Sequence, residues 1–177
     1  VRQFVGTGVV NLVRLSLPGA ENDPPLEEAL AVYREYYAAH SQDNTRPYDG
    51  IPEALQEIGS RYPVAVVSNK PDGAGKILCD QYFPGVYARG ESGDCPRKPA
   101  PDMVFRAMAD IGVEKCVYVG DSDVDVLTAN NAGMPCLSVT WGFRDREELE
   151  KAGAKYLCEK PEMLPEMVEK VIKENFL

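Results

Sequence analysis

The sequence carries a single histidine, His40, in 177 residues. A Ser-His-Asp or Cys-His mechanism would have to run through it, and nothing beside it reads as a partner. Cysteine is too sparse and too scattered for a scaffold. The five thiols (Cys79, Cys95, Cys116, Cys136 and Cys158) are odd in number and contain no Cys-x-x-Cys pair, which excludes a disulfide framework and a structural zinc site. Cys116 and Cys136 sit in apolar runs, where a free thiol acts as a small hydrophobe, and a reduced, cytoplasmic setting is the expectation. No run of about 18 apolar residues and no signal peptide is visible, so no membrane association is expected. Basic residues are outnumbered, 19 against 28 acidic ones, for a net charge of -9. That balance excludes non-specific binding to nucleic acid or an anionic membrane. It leaves room for a small phosphorylated ligand, because a few cations and backbone N–H groups can hold one phosphate.

What is present suits a compact fold. With 44% hydrophobic and 27% charged residues, the chain can bury a core as one domain, or as a core with a small lobe. Residues 1–45 read as a helical hairpin. Phe4, Val5, Val9, Leu12, Val13 and Leu17 follow a helical spacing interrupted by Gly6-Thr7-Gly8, and Pro18-Gly19 breaks it. Asp23 is a plausible N-cap for a helix whose apolar stripe is Leu26, Leu30, Tyr33 and Tyr37. The turn-rich Arg46-Pro47-Tyr48-Asp49-Gly50 marks a boundary, dividing a cap at 1–46 from a core at 47–177. Beyond it, helices alternate with short apolar strands. Strands are expected at residues 63–67, 86–89, 116–119, 136–139 and 155–158. Helices are expected from Pro52, at 72–82, at 100–111 with Phe105, Met108 and Ile111 inward, at 124–132, from Asp145, and at the end. Such alternation predicts an α/β fold with a mostly parallel, Rossmann-like sheet covered by helices on both faces. Ligands bind such sheets beyond the carboxyl ends of the strands.

Three polar clusters fall at such positions. Gly120-Asp121-Ser122-Asp123-Val124-Asp125 comes directly after an apolar strand. Its carboxylates suit a hard cation such as Mg²⁺, or else form an acidic helix start that favours the helix dipole. An EF-hand is excluded, since Val126 and Ala132 stand where Gly and Glu are needed. Ser68-Asn69-Lys70 ends another strand and offers a hydroxyl and an amide to a phosphate, or alternatively an ordinary N-cap. In Arg97-Lys98-Pro99-Ala100-Pro101-Asp102, two prolines stiffen the loop that presents Lys98, either to solvent or to the acidic cluster.

The ordered set Val-Val-Ser-Asn-Lys, Arg-Lys-Pro-Ala-Pro-Asp and Val-Gly-Asp-Ser-Asp-Val-Asp resembles the second, third and fourth motifs of the haloacid dehalogenase-type hydrolases. Residues 1–45 look like part of the cap of that family, and their sequence is most similar to phosphoglycolate phosphatases. The resemblance implies a Mg²⁺-dependent phosphomonoester hydrolase that works through an aspartyl-phosphate, with 2-phosphoglycolate the leading substrate. It assigns Ser68 and Asn69 to the phosphoryl oxygens and Lys98 to the charged intermediate and to alignment of the nucleophile. Asp121 would coordinate Mg²⁺, with Asp125 a second ligand or a partner behind it, and Ser122 would position the loop. Gly6, Thr7 and Gly8 would face the leaving group from the cap. A phosphosugar mutase or pyrophosphatase shares these motifs. A phosphonate hydrolase needs a cap lysine, and residues 1–45 have none. A receiver-like signalling module would lack the cap. Tyr33, Tyr36 and Tyr37 suit either packing within the cap or a dimer surface, leaving monomer and homodimer both open.

One element of the resemblance is missing. The Asp-x-Asp-x-Thr/Val motif that carries the nucleophile does not precede the cap. In the family its strand lies mid-sheet, between the strands expected to end at Val67 and Val119. Two unpaired interior edges are therefore expected. They favour a longer protein that supplies this strand over a shortened chain that binds phosphorylated ligands without turnover. The 177 residues alone are expected to be inactive.

Overall fold

The computed structural model describes residues 4–17 and 24–177; the Pro18-Gly19 break and the Asp23 cap lie outside them. The chain opens with α1 (Val9–Ser16) and α2 (Pro24–His40), which pack on each other through Val13, Leu26 and Leu30. Gly6 and Gly8 both take positive φ, at 115° and 93°, a region that glycine enters without strain. The turn they make is what delays the helix to Val9.

The remainder alternates as expected. It comprises α3 (Ile51–Gly59), β1 (Ala65–Pro71), α4 (Asp72–Tyr82), β2 (Tyr87–Glu91), α5 (Asp102–Ile111), β3 (Tyr118–Gly120), α6 (Asp123–Asn131), β4 (Cys136–Val139), α7 (Arg146–Lys151), β5 (Tyr156–Cys158) and α8 (Leu164–Phe176). All strand pairings are parallel. One apolar layer joins α3 and α8 to the sheet through Ala54, Leu137, Val139, Cys158, Leu164 and Val168. On the opposite face, Val104, Met108, Val126, Ala129 and Leu149 bring α5, α6 and α7 against Tyr118 and Cys136. Helices thus cover both faces of the β3-β4-β5 sheet.

The inward face of α5 includes Met108 as expected but not Phe105. Phe105 is 48% exposed, while Met103, Val104, Ala107 and Met108 are buried. The stripe pairs positions four apart, 103 with 107 and 104 with 108, and so leaves Phe105 off the core side.

Among the described residues the sheet is in two pieces. β1 pairs with β2, and β3-β4-β5 form the other piece. The edges of β1 and β3 that carry no strand border one apolar cleft of about 450 Å³, lined by Val64, Val66 and Val67 on one side and Val117 and Val119 on the other. Val119, a sheet valine, is consequently 41% exposed. This is the mid-sheet gap expected from the family's strand order. Among the described residues, the two rows of backbone N–H and C=O groups that border it have no ladder partner.

Candidate active site

β1 runs past its expected end and includes Ser68, Asn69 and Lys70. Its register against β2 becomes irregular between Val67 and Pro71, and such irregularities re-aim side chains at strand ends. Within it, the Lys70 N–H donates to Ser68 Oγ at 3.1 Å. That bond uses an acceptor position and leaves the hydroxyl hydrogen for an incoming anion.

Asn69 is buried and spends its side chain on the protein itself. Its Nδ2 donates to the carbonyls of Gly6 (2.8 Å) and Lys98 (2.9 Å), and its Oδ1 accepts from the Lys98 N–H at 2.8 Å. With both amide hydrogens so engaged, Asn69 clamps three segments together: the β1 end, the Lys98 loop and the Gly6 turn.

The loop that Asn69 holds contains a cis Lys98-Pro99 bond, and Asn131 Nδ2 donates to Pro99 O at 2.9 Å. From this loop the Lys98 ammonium donates to Asp125 Oδ1 at 2.8 Å and to the Tyr118 hydroxyl at 3.1 Å. The side chains of Lys98 and Asp125 are only 12% and 8% exposed. Asp125 Oδ1 also accepts from Tyr118 at 3.2 Å, and its Oδ2 accepts from Ser122 Oγ at 2.6 Å and the Asp121 N–H at 3.2 Å. Burial alone pushes this carboxyl up. The Lys98 charge and the hydrogen bonds from Lys98, Ser122 and Asp121 outweigh that, so Asp125 lies below the usual carboxylate range. Both of its oxygens are occupied by protein donors, which makes it the anchor of Lys98. Tyr118, which the sequence disguises as a strand core residue, is itself pushed up, first by burial and then by the Asp125 charge.

Asp121 stands differently. Its Oδ2 accepts the Phe143 N–H at 2.9 Å, and its backbone carbonyl accepts the Arg144 N–H at 3.1 Å. Burial pushes its carboxyl up, opposed by the Phe143 hydrogen bond and aided by the nearby Asp125 charge. A carboxylate raised in this way gains from a bound cation. Mg²⁺ commonly takes one or two carboxylates and completes its shell with water and phosphate oxygens, so the oxygen donor at Asp121 fits that ion. Among the described residues no group of three His, Cys, Asp or Glu could hold a metal. Water and phosphate oxygens would then make up most of such a shell.

Two glycines set the fit of these carboxylates. A Cβ at Gly120 would fall on the Asp125 side chain, and one at Gly142 on the Asp121 side chain. Gly120→Ala and Gly142→Ala should each destabilise the chain by about 1–3 kcal/mol through overpacking. Urea unfolding midpoints measure this, and an unchanged midpoint would contradict the close packing.

Arg144 belongs to none of the three motifs. It is buried, its Nε donates to Asp123 Oδ1 at 2.8 Å, and its Nη2 donates to Val5 O at 3.4 Å. It therefore ties the segment before α1 to the loop that carries Asp121. Its position just after the buried strand β4 was the available signal. Asp123 thereby has its Oδ1 engaged by Arg144. The Gly6-Thr7-Gly8 turn lies over the same region: Gly6 bonds Asn69, a Cβ on Gly8 would meet the Arg97 side chain, and Thr7 Oγ1 donates only a long 3.5 Å bond to Phe4 O. His40 stays apart, paired at 2.7 Å with Asp43.

A parallel α/β sheet with a buried lysine–aspartate pair beyond the end of β3 is a scaffold that several classes of protein share, and comparison with known proteins identifies the one to which this chain belongs. The sequence pattern of the haloacid dehalogenase-like hydrolases matches residues 1–139, and the chain belongs to that family. Proteins assigned as phosphoglycolate phosphatases in Pseudomonas putida, Rhodobacter capsulatus and Pseudomonas aeruginosa are 34%, 34% and 36% identical to it, each over 81% of this chain. The chain spans 61%, 68% and 56% of their respective lengths. A solved structure from Lactobacillus delbrueckii subsp. bulgaricus, of a protein assigned to the same phosphatases, superimposes with a TM-score of 0.89 at 34% identity. It covers 95% of this chain and 81% of that one. No helix among the described residues is long and apolar enough to cross a membrane.

Proposed function

We propose that this chain forms the phosphate-binding and Mg²⁺-binding part of a phosphomonoesterase for a small organic phosphate, with 2-phosphoglycolate as the leading substrate. What carries the reading is convergence. Ser68, Lys98 and Asp121 come from three separate segments, two at strand ends and one on the loop after β2, and the bonds of Asn69 and Asp125 tie those segments together. In this reading Ser68 donates its free O–H to a phosphoryl oxygen, and Lys98, held in place by Asp125, supplies positive charge where phosphate charge accumulates. Asp121 would hold Mg²⁺, whose chemistry is to screen an anionic nucleophile from an anionic phosphate. In the covalent step an aspartate from a strand laid between β1 and β3 attacks phosphorus. Its O–P bond forms as the ester P–O bond breaks and the protonated alcohol leaves, and water then hydrolyses the aspartyl-phosphate to orthophosphate. The substrate assignment draws on the relatives' names and on the cap turn facing the site.

A second reading, binding of phosphorylated ligands without turnover, draws on the open cleft and on the incomplete set of metal ligands among the described residues. Calorimetric titration separates the phosphate site from its absence. The chain should bind Mg²⁺ more tightly with orthophosphate present, and Asp121→Asn should weaken that binding at least tenfold. Mg²⁺ affinity indifferent to both phosphate and Asp121 would overturn the metal assignment.

A further inference from the structure

Among the described residues, four cations surround the strand ends that make the candidate site, and three of them are matched. Lys98 has Asp125 at 2.8 Å, Arg144 has Asp123 at 2.8 Å, and Arg97 has Glu91 at a looser 3.7 Å. Lys70 differs: among the described residues its ammonium meets no carboxylate. It meets the cap instead, donating a short hydrogen bond to the Tyr37 hydroxyl and lying 5.1 Å from the centre of the Tyr37 ring. Tyr37 is steadied by stacking on Tyr33 at 5.5 Å, and Tyr33 packs against the cap's own apolar cluster.

We propose that Lys70, together with the Tyr37 hydroxyl, is the specificity-determining pair that receives a second anionic group, a carboxylate, on the leaving-group side of the phosphate ester. The proposal rests on the phosphatase reading and deepens it. Three observations converge on it. The backbone N–H of Lys70 bonds the hydroxyl of Ser68, the residue placed at the phosphoryl group, so ammonium and hydroxyl leave the same end of β1. The ammonium reaches the boundary between core and cap, where the Gly6 turn also meets the core through Asn69. Its present partner is neutral, so the ammonium's other hydrogens and the phenol's own O–H remain to meet an anion. A substrate with a phosphate and a carboxylate one carbon apart needs two centres of positive charge. Lys98 serves the first, and Lys70 is the cation at these strand ends that has no acid of its own among the described residues.

Binding of two esters that differ only in a carboxylate tests this on the 177-residue chain in Mg²⁺. 2-Phosphoglycolate should bind at least tenfold more tightly than ethyl phosphate by calorimetry. Lys70→Met should erase that preference and leave the ethyl phosphate affinity unchanged. Lys70→Gln, nearer in shape and polarity, should do the same, which guards against a folding defect in the first variant. Equal weakening of both esters by both variants would overturn the assignment, as would a preference that survives both and is erased by Arg97→Met. Ethyl phosphate binding with no preference for 2-phosphoglycolate in the wild type would also overturn it while leaving the phosphate site standing. Failure of the wild type to bind either ester would overturn the phosphatase reading itself.

Discussion

Mixed with a short apolar peptide ending in Asp-x-Asp, the chain is expected to release phosphate from a phosphomonoester in Mg²⁺, whereas alone it releases none. The reason lies in the sheet. β1 and β3 face each other across an apolar cleft, each with one edge unpaired among the described residues, and the valines at 64, 66, 67, 117 and 119 line it. An extended segment laid there would gain main-chain hydrogen bonds from both neighbours and bury its alternate side chains, as strand addition does elsewhere. A strand of five residues spans about 17 Å. Running parallel to β1 and β3, it would deliver its last residues to the end of the sheet where Ser68 and Asp121 stand. Without a nucleophile the covalent step has no route, and losses of about 10⁴-fold or more result from removing such groups in other enzymes. A peptide with Asn for the first Asp should bind equally well and restore nothing. Phosphate release by the peptide-free chain, in a sample of verified intact mass, would refute the expectation, and so would a peptide that fails to bind.

The parts of this fold that are legible in sequence are those whose signal is local. β4 is bounded correctly at residues 136–139 because all four residues are buried, and a strand covered on both faces reads as an unbroken apolar run. The N-terminus of α7 is legible at Asp145, whose side chain accepts the Glu148 N–H at 2.9 Å while Glu148 caps in return. α5 is legible as a helix with Met108 buried, but choosing Phe105 favours a large side chain at i+3 spacing and overlooks Val104 and Ala107, which are 3% and 2% exposed. Ser68, Lys98 and Asp121 are visible because each lies in a polar cluster beside an apolar strand or a stiffened loop. Asn69 stands out for the same reason, yet its amide is consumed by Gly6 and Lys98, contacts 63 and 29 residues away in the chain. No local pattern encodes these. Tyr118 and Arg144 escape for the same cause, since the first looks like a core tyrosine and the second acts on Val5, 139 residues distant.

The second large effect concerns stability, and it arises from how deeply the Lys98–Asp125 pair is set. Replacing Lys98 by Met removes the charge that offsets burial of Asp125 and leaves a carboxylate at 8% exposure without its cation. Breaking a buried pair from one side costs about 3–5 kcal/mol, because the surviving charge stays desolvated. Ser122, Tyr118 and the Asp121 N–H still donate to Asp125, which places the expected loss at the lower end of that range. Asp125→Leu is the worse single change: it strands the Lys98 ammonium and at once deprives Ser122, Tyr118 and the Asp121 N–H of their shared acceptor. The double variant, Lys98→Met with Asp125→Leu, should therefore lose clearly less stability than the two single losses added together, since neither charge is then left behind. Urea unfolding of the four proteins measures the cycle. Additive losses would mean that the pair is solvated in solution and that Asp125 does not hold Lys98 at the phosphate.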